Sequence, residues 1–231
     1  EHMSCTTEPI AAPLMFLATL ISRTKNIRLG TGVIALPNHH PAVVAAEVAQ
    51  FDHLSRGRMM FGIGPGGLAS DMELFDVLDG PYRTDRMMES IDTILKLWSQ
   101  DPPYHIDGKH WKIKLADTVM PELGVGYIPR PYQQPHPPIL MTAMSPFSDS
   151  IKTAGQRGWA PMSANFCPEY VIASHWKKYV EGCESAGRPV NGESWRVARN
   201  VVVARSDSEA LDRVLDPKGS NYYYFEYLWK V

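Results

Sequence analysis

Two sets of residues in this sequence have types and spacings that could support chemistry. His39, His40 and His53 lie close together in the chain. Imidazole is a common metal ligand, but a metal site also needs partner ligands at suitable spacing. No carboxylate or cysteine pattern accompanies these three, so no metal is expected. Gly62, Gly64 and Gly67 reproduce the spacing G-x-G-x-x-G. That motif serves a dinucleotide when it forms the first strand-to-helix turn, where backbone N–H groups meet the pyrophosphate. Here it contains Pro65, runs into a loop and follows the second visible strand, which argues against a dinucleotide fold. Cys5, Cys167 and Cys183 have neither paired spacing nor a histidine cluster beside them, so neither a disulfide framework nor zinc is suggested.

The elements that must position any site can be read from period and punctuation. Ile27 to Leu36 is a nearly continuous apolar run ending at Pro37, as expected for one parallel strand buried on both faces. After Pro41, Val44, Val48 and Phe51 recur at helical spacing, and Ser55 to Gly57 closes that helix. Arg58 to Gly64 reads as a second strand. A helix follows over Tyr82 to Trp98, with Met88, Ile91 and Leu95 on one face. The methionine pairs Met59–Met60 and Met87–Met88 suit core or pocket volume.

Residues 101–138 are rich in Pro and Gly, with a hairpin expected around His110 to Leu115. The segment is longer than an ordinary strand-to-helix connection and reads as an excursion. Further strands are expected at Ile139 to Ala143, Trp159 to Ser163 and Trp195 to Ala204. Helices are expected ending near Gly158, over Pro168 to Ala186 with Ile172, Trp176 and Tyr179 aligned, and over Ser208 to Leu215. Strands alternating with amphipathic helices imply an α/β fold with a parallel sheet, either a TIM barrel or a doubly wound sheet.

The chain has 231 residues, 44% hydrophobic and 21% charged, which suits one large domain over 1–231. A net charge of -2 gives no reason to expect nucleic acid or an anionic membrane as partner. The apolar stretch Ile10 to Ile21 is too short to span a bilayer, and no targeting signal is visible. A cytoplasmic setting is expected.

Several motifs in one order carry a resemblance: E-H-x-S at Glu1 to Ser4, L-G-T-G-V at Leu29 to Val33, L-P-x-H-H-P at Leu36 to Pro41, D-H-L-S-R-G-R at Asp52 to Arg58 and F-G-x-G-P-G at Phe61 to Gly66. Together they resemble the bacterial luciferase-like flavin monooxygenases, especially the limonene and diketocamphane type. The resemblance implies a (β/α)8 TIM barrel, with terminal elements missing from this chain at both ends.

It also implies roles for particular residues. His2 would sit at the barrel mouth as a proton donor or acceptor; the alternative is a terminal histidine with no role. The luciferase branch often has a second histidine where this chain has Met3. Gly32 and Val33 match a non-proline cis peptide that bulges toward the flavin, although Gly30 and Gly32 could equally serve close strand packing. Arg86 matches a phosphate-binding arginine, and Ser145, Ser148 and Ser150 are candidates for the hydroxyl that helps it. Another phosphate-contacting arginine of luciferases is replaced by Pro65, which implies looser use of the flavin.

The implied activity is two-component monooxygenation. A separate flavin reductase supplies FMNH2, O2 adds to give a flavin hydroperoxide, and a dry site lets it oxygenate a small apolar organic substrate such as a terpenoid, cyclic ketone or aldehyde. Hydroxylation, epoxidation and Baeyer–Villiger insertion stay open. A homodimer is implied, and the aromatics Tyr222 to Phe225, Tyr227 and Trp229 suit a subunit interface or a pocket wall. The alternatives are a deazaflavin-dependent oxidoreductase of the same fold and a noncatalytic flavin-binding partner subunit.

Overall fold

A computed structural model describes residues 1–228 and 230, which divide into two compact units. The first comprises Glu1–Thr142 with Gly158–Ala160, the second Ala143–Arg157 with Pro161–Val231.

In the first unit, helix α1 (Pro13–Ile21) precedes two short strands, β1 (Leu29–Gly30) and β2 (Ile34–Ala35), where one continuous strand was expected. Both pair in parallel with β3 (Met59–Gly64), Leu29 opposite Met59 and Ile34 opposite Ile63. The interruption coincides with a cis peptide between Gly32 and Val33. The Thr31 hydroxyl fills in for the broken ladder, donating to the Gly62 carbonyl at 2.8 Å and accepting from the Gly62 N–H at 2.9 Å. Apolar pattern does not register such a break, because Leu29 before it and Ile34 after it are both buried.

Helix α2 (Pro41–Ser55) crosses from β2 to β3 and buries Val44, Val48 and Phe51, the face read from the sequence. It starts at Pro41, with His40 Nδ1 accepting from the Ala42 N–H, and ends at Arg56 in the left-handed region, φ 53°. Its buried Asp52 accepts from the backbone and side-chain amides of Gln133 at 2.7 and 2.8 Å. These bonds tie the excursion to the helix and satisfy a carboxylate that would otherwise be costly to bury.

A short helix α3 (Ala69–Leu74) leads to α4 (Gly80–Ser99), capped by Asp79. The buried face of α4 runs through Met87, Ile91, Ile94, Leu97 and Trp98 and includes Ser90 and Thr93. Met88 and Leu95, expected on that face, are only half-buried. The polar members of the face explain the offset. Ser90 Oγ donates to the Arg86 carbonyl and accepts from Trp111 Nε1, so hydroxyls occupy positions that hydropathy assigns to solvent.

The expected hairpin is present as β4 (Tyr104–Asp107) and β5 (Lys112–Leu115). Its turn is held by the Glu89 carboxylate, which accepts from the N–H groups of Lys109, His110 and Trp111. Gly108 packs against this carboxylate: a Cβ there would lie 2.6 Å from the Glu89 carboxyl carbon, so a side chain would push the carboxylate off the turn. Strand β6 (Ile139–Ala143) closes the sheet of this unit by pairing in parallel with β3.

In the second unit, α5 (Asp149–Arg157), β7 (Ala160–Ser163) and α6 (Glu169–Ser185) follow the sequence reading closely. Two glycines let α5 and α6 touch backbone to backbone. A Cβ on Gly155 would lie 2.4 Å from the Tyr179 carbonyl, and one on Gly182 would lie 2.1 Å from that of Lys152.

The last expected strand is much shorter than Trp195 to Ala204. Only β8 (Arg196–Val197) pairs with β7, and one further bond joins the Ala198 N–H to the Ser163 carbonyl. β7 ends at Ser163, so among the described residues the chain beyond Ala198 has no neighbouring strand, and Val201 and Val203 are each 78% exposed. Helices α7 (Asp207–Leu215) and α8 (Ser220–Leu228) complete the unit. On α8, Tyr222, Tyr223 and Phe225 are exposed; Trp229 and the Tyr227 side chain lie outside the described residues. No helix among the described residues is long and apolar enough to cross a membrane.

Candidate functional site

The first four residues are fixed by two carboxylates. Glu1 Oε1 accepts from the Ala35 N–H and from His39 Nε2, both at 2.8 Å, which ties the chain start to β2. Asp71, on α3, accepts from the N–H groups of Met3 and Ser4 at 3.1 and 2.8 Å and from the Ser4 hydroxyl at 2.5 Å. His2 therefore has little freedom. Its Nδ1 lies 3.2 Å from Asp71 Oδ2 and its Nε2 lies 3.1 Å from Glu8 Oε2. A doubly protonated ring donates to both carboxylates; a neutral ring donates to one.

Burial raises the Asp71 carboxyl, but the hydrogen bonds from Ser4, from the Met3 and Ser4 backbone and from His2 outweigh it, so the group titrates below the usual carboxylate range. The anion is the form that all four donors require.

Beside this cluster lies a cavity of about 470 Å³ lined by Glu1, Glu8, Phe16, Thr31, Gly32 and Val33, among others. The cis peptide forms part of its wall. A Cβ added to Gly32 would meet no atom within 4 Å, so the backbone there faces open space. Glu8 lines the cavity and His2 stands behind it, one hydrogen bond removed.

Arg86 lies in the second turn of α4, apart from that lining. Its guanidinium sits 4.5 Å from the Trp111 ring centroid, and Nη1 donates to Tyr82 Oη at 3.2 Å. Its buried Nε has no hydrogen-bond partner. A planar cation held over an indole with a donor left over is suited to an anionic oxygen. The orphan donor and the glycine-faced cavity are what a flavin phosphate and ring would each require.

Ser145, Ser148 and Ser150 belong to the second unit, in the turn between β6 and α5 and at the start of α5. Ser145 is exposed, and Ser148 and Ser150 are half-buried. Phe147 in this turn has φ 53°, and its N–H donates to Ser174 Oγ at 2.9 Å. The other histidines have structural partners: His40 caps α2, and His53 Nε2 meets the Arg130 carbonyl. Among the described residues no three metal-ligating side chains gather.

Sequence reasoning missed Asp71, Glu8 and Trp111. Each acts through a partner 6 to 69 positions away or through a hairpin turn, and no local pattern marks them. Only the acidic residue after the glycine loop, read together with His2, could have drawn attention to Asp71.

A family model described as luciferase-like monooxygenase matches residues 1–226. The chain is 35% identical over 222 residues to 4-hydroxyprotoasukamycin monooxygenase of Streptomyces nodosus subsp. asukaensis, covering 94% of this chain and 57% of that protein. It is 32% identical over 213 residues to limonene 1,2-monooxygenase of Rhodococcus erythropolis, covering 91% and 51%. Among solved structures, the oxygenating constituent of 3,6-diketocamphane monooxygenase from Pseudomonas putida, a type II Baeyer–Villiger monooxygenase in complex with FMN, superposes with a TM-score of 0.85. That match has 28% identity and covers 98% of this chain and 62% of the other. The chain thus spans somewhat over half the length of the relatives it matches.

Proposed function

The chain belongs to the luciferase-like monooxygenase family, and from that premise we propose that it is the oxygenase component of a two-component system acting on a small apolar substrate, such as a terpenoid or cyclic ketone. The protein of which this sequence forms the described part is then a single (β/α)8 barrel domain, homodimeric and cytoplasmic, served by a separate flavin reductase. The observation that carries the reading is the cis Gly32–Val33 peptide in the wall of a cavity, with the α3–N-terminus carboxylate cluster behind it. Bound reduced FMN and O2 would supply the oxygenating chemistry.

The chain's own residues do the rest. Gly32 and Val33 present flat backbone to the flavin ring. Arg86, pre-oriented by Trp111, offers its guanidinium to an anionic group; in the second unit, Ser145, Ser148 and Ser150 offer hydroxyls to a phosphate. His2, held by Asp71 and Glu8, exchanges a proton with the cavity through Glu8, which lines it. Phe16, Leu17 and Pro13 give the cavity an apolar side that keeps water from the reacting atoms.

Anaerobic titration of the full chain with reduced FMN, reduced riboflavin and a reduced deazaflavin tests this. FMN should bind most tightly. Arg86→Ala should weaken FMN binding by about tenfold or more, as expected for a lost charge-assisted hydrogen bond, while riboflavin affinity stays put. Tight deazaflavin binding without FMN binding would give the site to hydride transfer. Binding of no flavin would favour a noncatalytic partner subunit.

A further inference from the structure

His175, in the middle of α6, has no exposed surface and hydrogen-bonds through both ring nitrogens. Nε2 lies 2.9 Å from the Ser145 carbonyl oxygen, and Nδ1 lies 2.9 Å from Ser163 Oγ. A carbonyl can only accept, so Nε2 carries the proton. In the neutral ring Nδ1 then accepts from the Ser163 hydroxyl. That hydroxyl in turn accepts from Trp195 Nε1 at 3.1 Å. The chain Trp195–Ser163–His175–Ser145 runs in one direction, every donor matched to an acceptor.

Ser163 and His175 resemble a nucleophile and its base only in composition. Both are fully buried, and Ser163 Oγ already serves Trp195, so no substrate can reach it. The output of the chain is the Ser145 carbonyl. One residue earlier on α6, Ser174 Oγ accepts from the Phe147 N–H, at the residue whose φ is positive, and donates to the Val171 carbonyl at 2.6 Å. Two adjacent residues of α6 therefore grip the turn at two points, one on a carbonyl and one on an N–H. Leaving either group unpaired would loosen the turn.

We infer that His175 and Ser174 are positioning residues, the rigid support that fixes the Ser145–Ser148 turn in the shape that receives the flavin phosphate. The inference rests on the proposed flavin site. His175 itself touches no ligand; it acts by holding the carbonyl of Ser145, on the turn that carries Ser145 and Ser148. Nothing in the local sequence announces this, since an isolated histidine between Ser174 and Trp176 reads as an ordinary helix residue.

The test compares FMN with riboflavin, which differ by the phosphate alone. The full chain and its His175→Leu, His175→Gln and Ser174→Ala variants are titrated with each flavin, with thermal unfolding followed in parallel. The wild-type chain should prefer FMN by about tenfold or more, the value of one charge-assisted hydrogen bond. His175→Leu and Ser174→Ala should lower that ratio several-fold while riboflavin affinity holds, leaving the share that Arg86 contributes. His175→Gln, whose amide N–H reaches toward the Ser145 carbonyl, should restore most of it.

A merely structural role would lower both affinities together, or the melting point alone, and would overturn the inference. So would an unchanged ratio in Ser174→Ala and His175→Leu. If His175→Leu fails to fold, Ser174→Ala and His175→Gln decide by the same ratio. A wild-type chain that binds both flavins equally would instead refute the proposed phosphate turn, the reading on which the inference stands.

Discussion

Asp71 sets burial against hydrogen bonding, and hydrogen bonding wins. The sign of the resulting pH dependence follows. A carboxyl whose folded-state value lies below its unfolded value of about 3.9 contributes stability that is present above that value and is lost as pH falls through the lower, folded one. Protonation there removes the acceptor for Met3, Ser4 and His2 together. We expect the Met3 and Ser4 amides to be protected from hydrogen exchange near neutrality and to lose protection in acid below the ordinary carboxylate range. Asp71→Asn should abolish the protection at neutral pH without unfolding α2 or α4. Protection that persists in the variant would mean that Glu1, through Ala35 and His39, holds the segment unaided. The residues that carry this account differed in how far the sequence revealed them. His2, Gly32 and Val33 sit in recognisable motifs and Arg86 came only with the family resemblance, whereas Asp71, Glu8 and His175 matter because of contacts made across the fold, which no local spacing encodes.

Among the elements, those whose burial is one-sided and apolar were readable: α2 through Val44, Val48 and Phe51, and β3 and β6 through unbroken apolar runs. Legibility failed where polar groups did the packing. On α4, Ser90 and Thr93 take up buried positions beside Met87 and Ile91, which displaces Met88 and Leu95 from the centre of the face. Between β1 and β2 a threonine hydroxyl replaces ladder bonds, so one expected strand becomes two. The α5–α6 contact offers a sharper test. Glycine to alanine in a helix interior ordinarily stabilises by roughly 1 kcal/mol. At Gly182 the new methyl would run into the Lys152 carbonyl, and overpacking of this kind costs about 1–3 kcal/mol or more. The clash should win. Gly182→Ala is expected to lower stability in urea unfolding, and a neutral or stabilising result would mean that the two helices can part without loss.

For the whole molecule, the parallel pairing of β1, β2 and β6 about β3, with α2 as crossover, is the α/β arrangement that the alternating sequence pattern implied. The choice between barrel and doubly wound sheet was not available from period alone, since both bury parallel strands on two faces. The ordered set of motifs pointed to the luciferase-like family, to which the chain belongs. What the composition could not supply was the substrate, because a cavity lined by Phe16, Leu17 and Val33 on one hand and by Glu1 and Glu8 on the other singles out no one molecule. The most direct test of the central claim is the fate of molecular oxygen. The full chain, given enzymatically reduced FMN, 18O-labelled O2 and a panel of cyclic ketones and terpenes, should yield a product that carries one labelled oxygen atom, with the label absent when FMN is withheld. Product bearing oxygen from water, or substrate oxidised with no gain of oxygen while a deazaflavin is reduced, would contradict it.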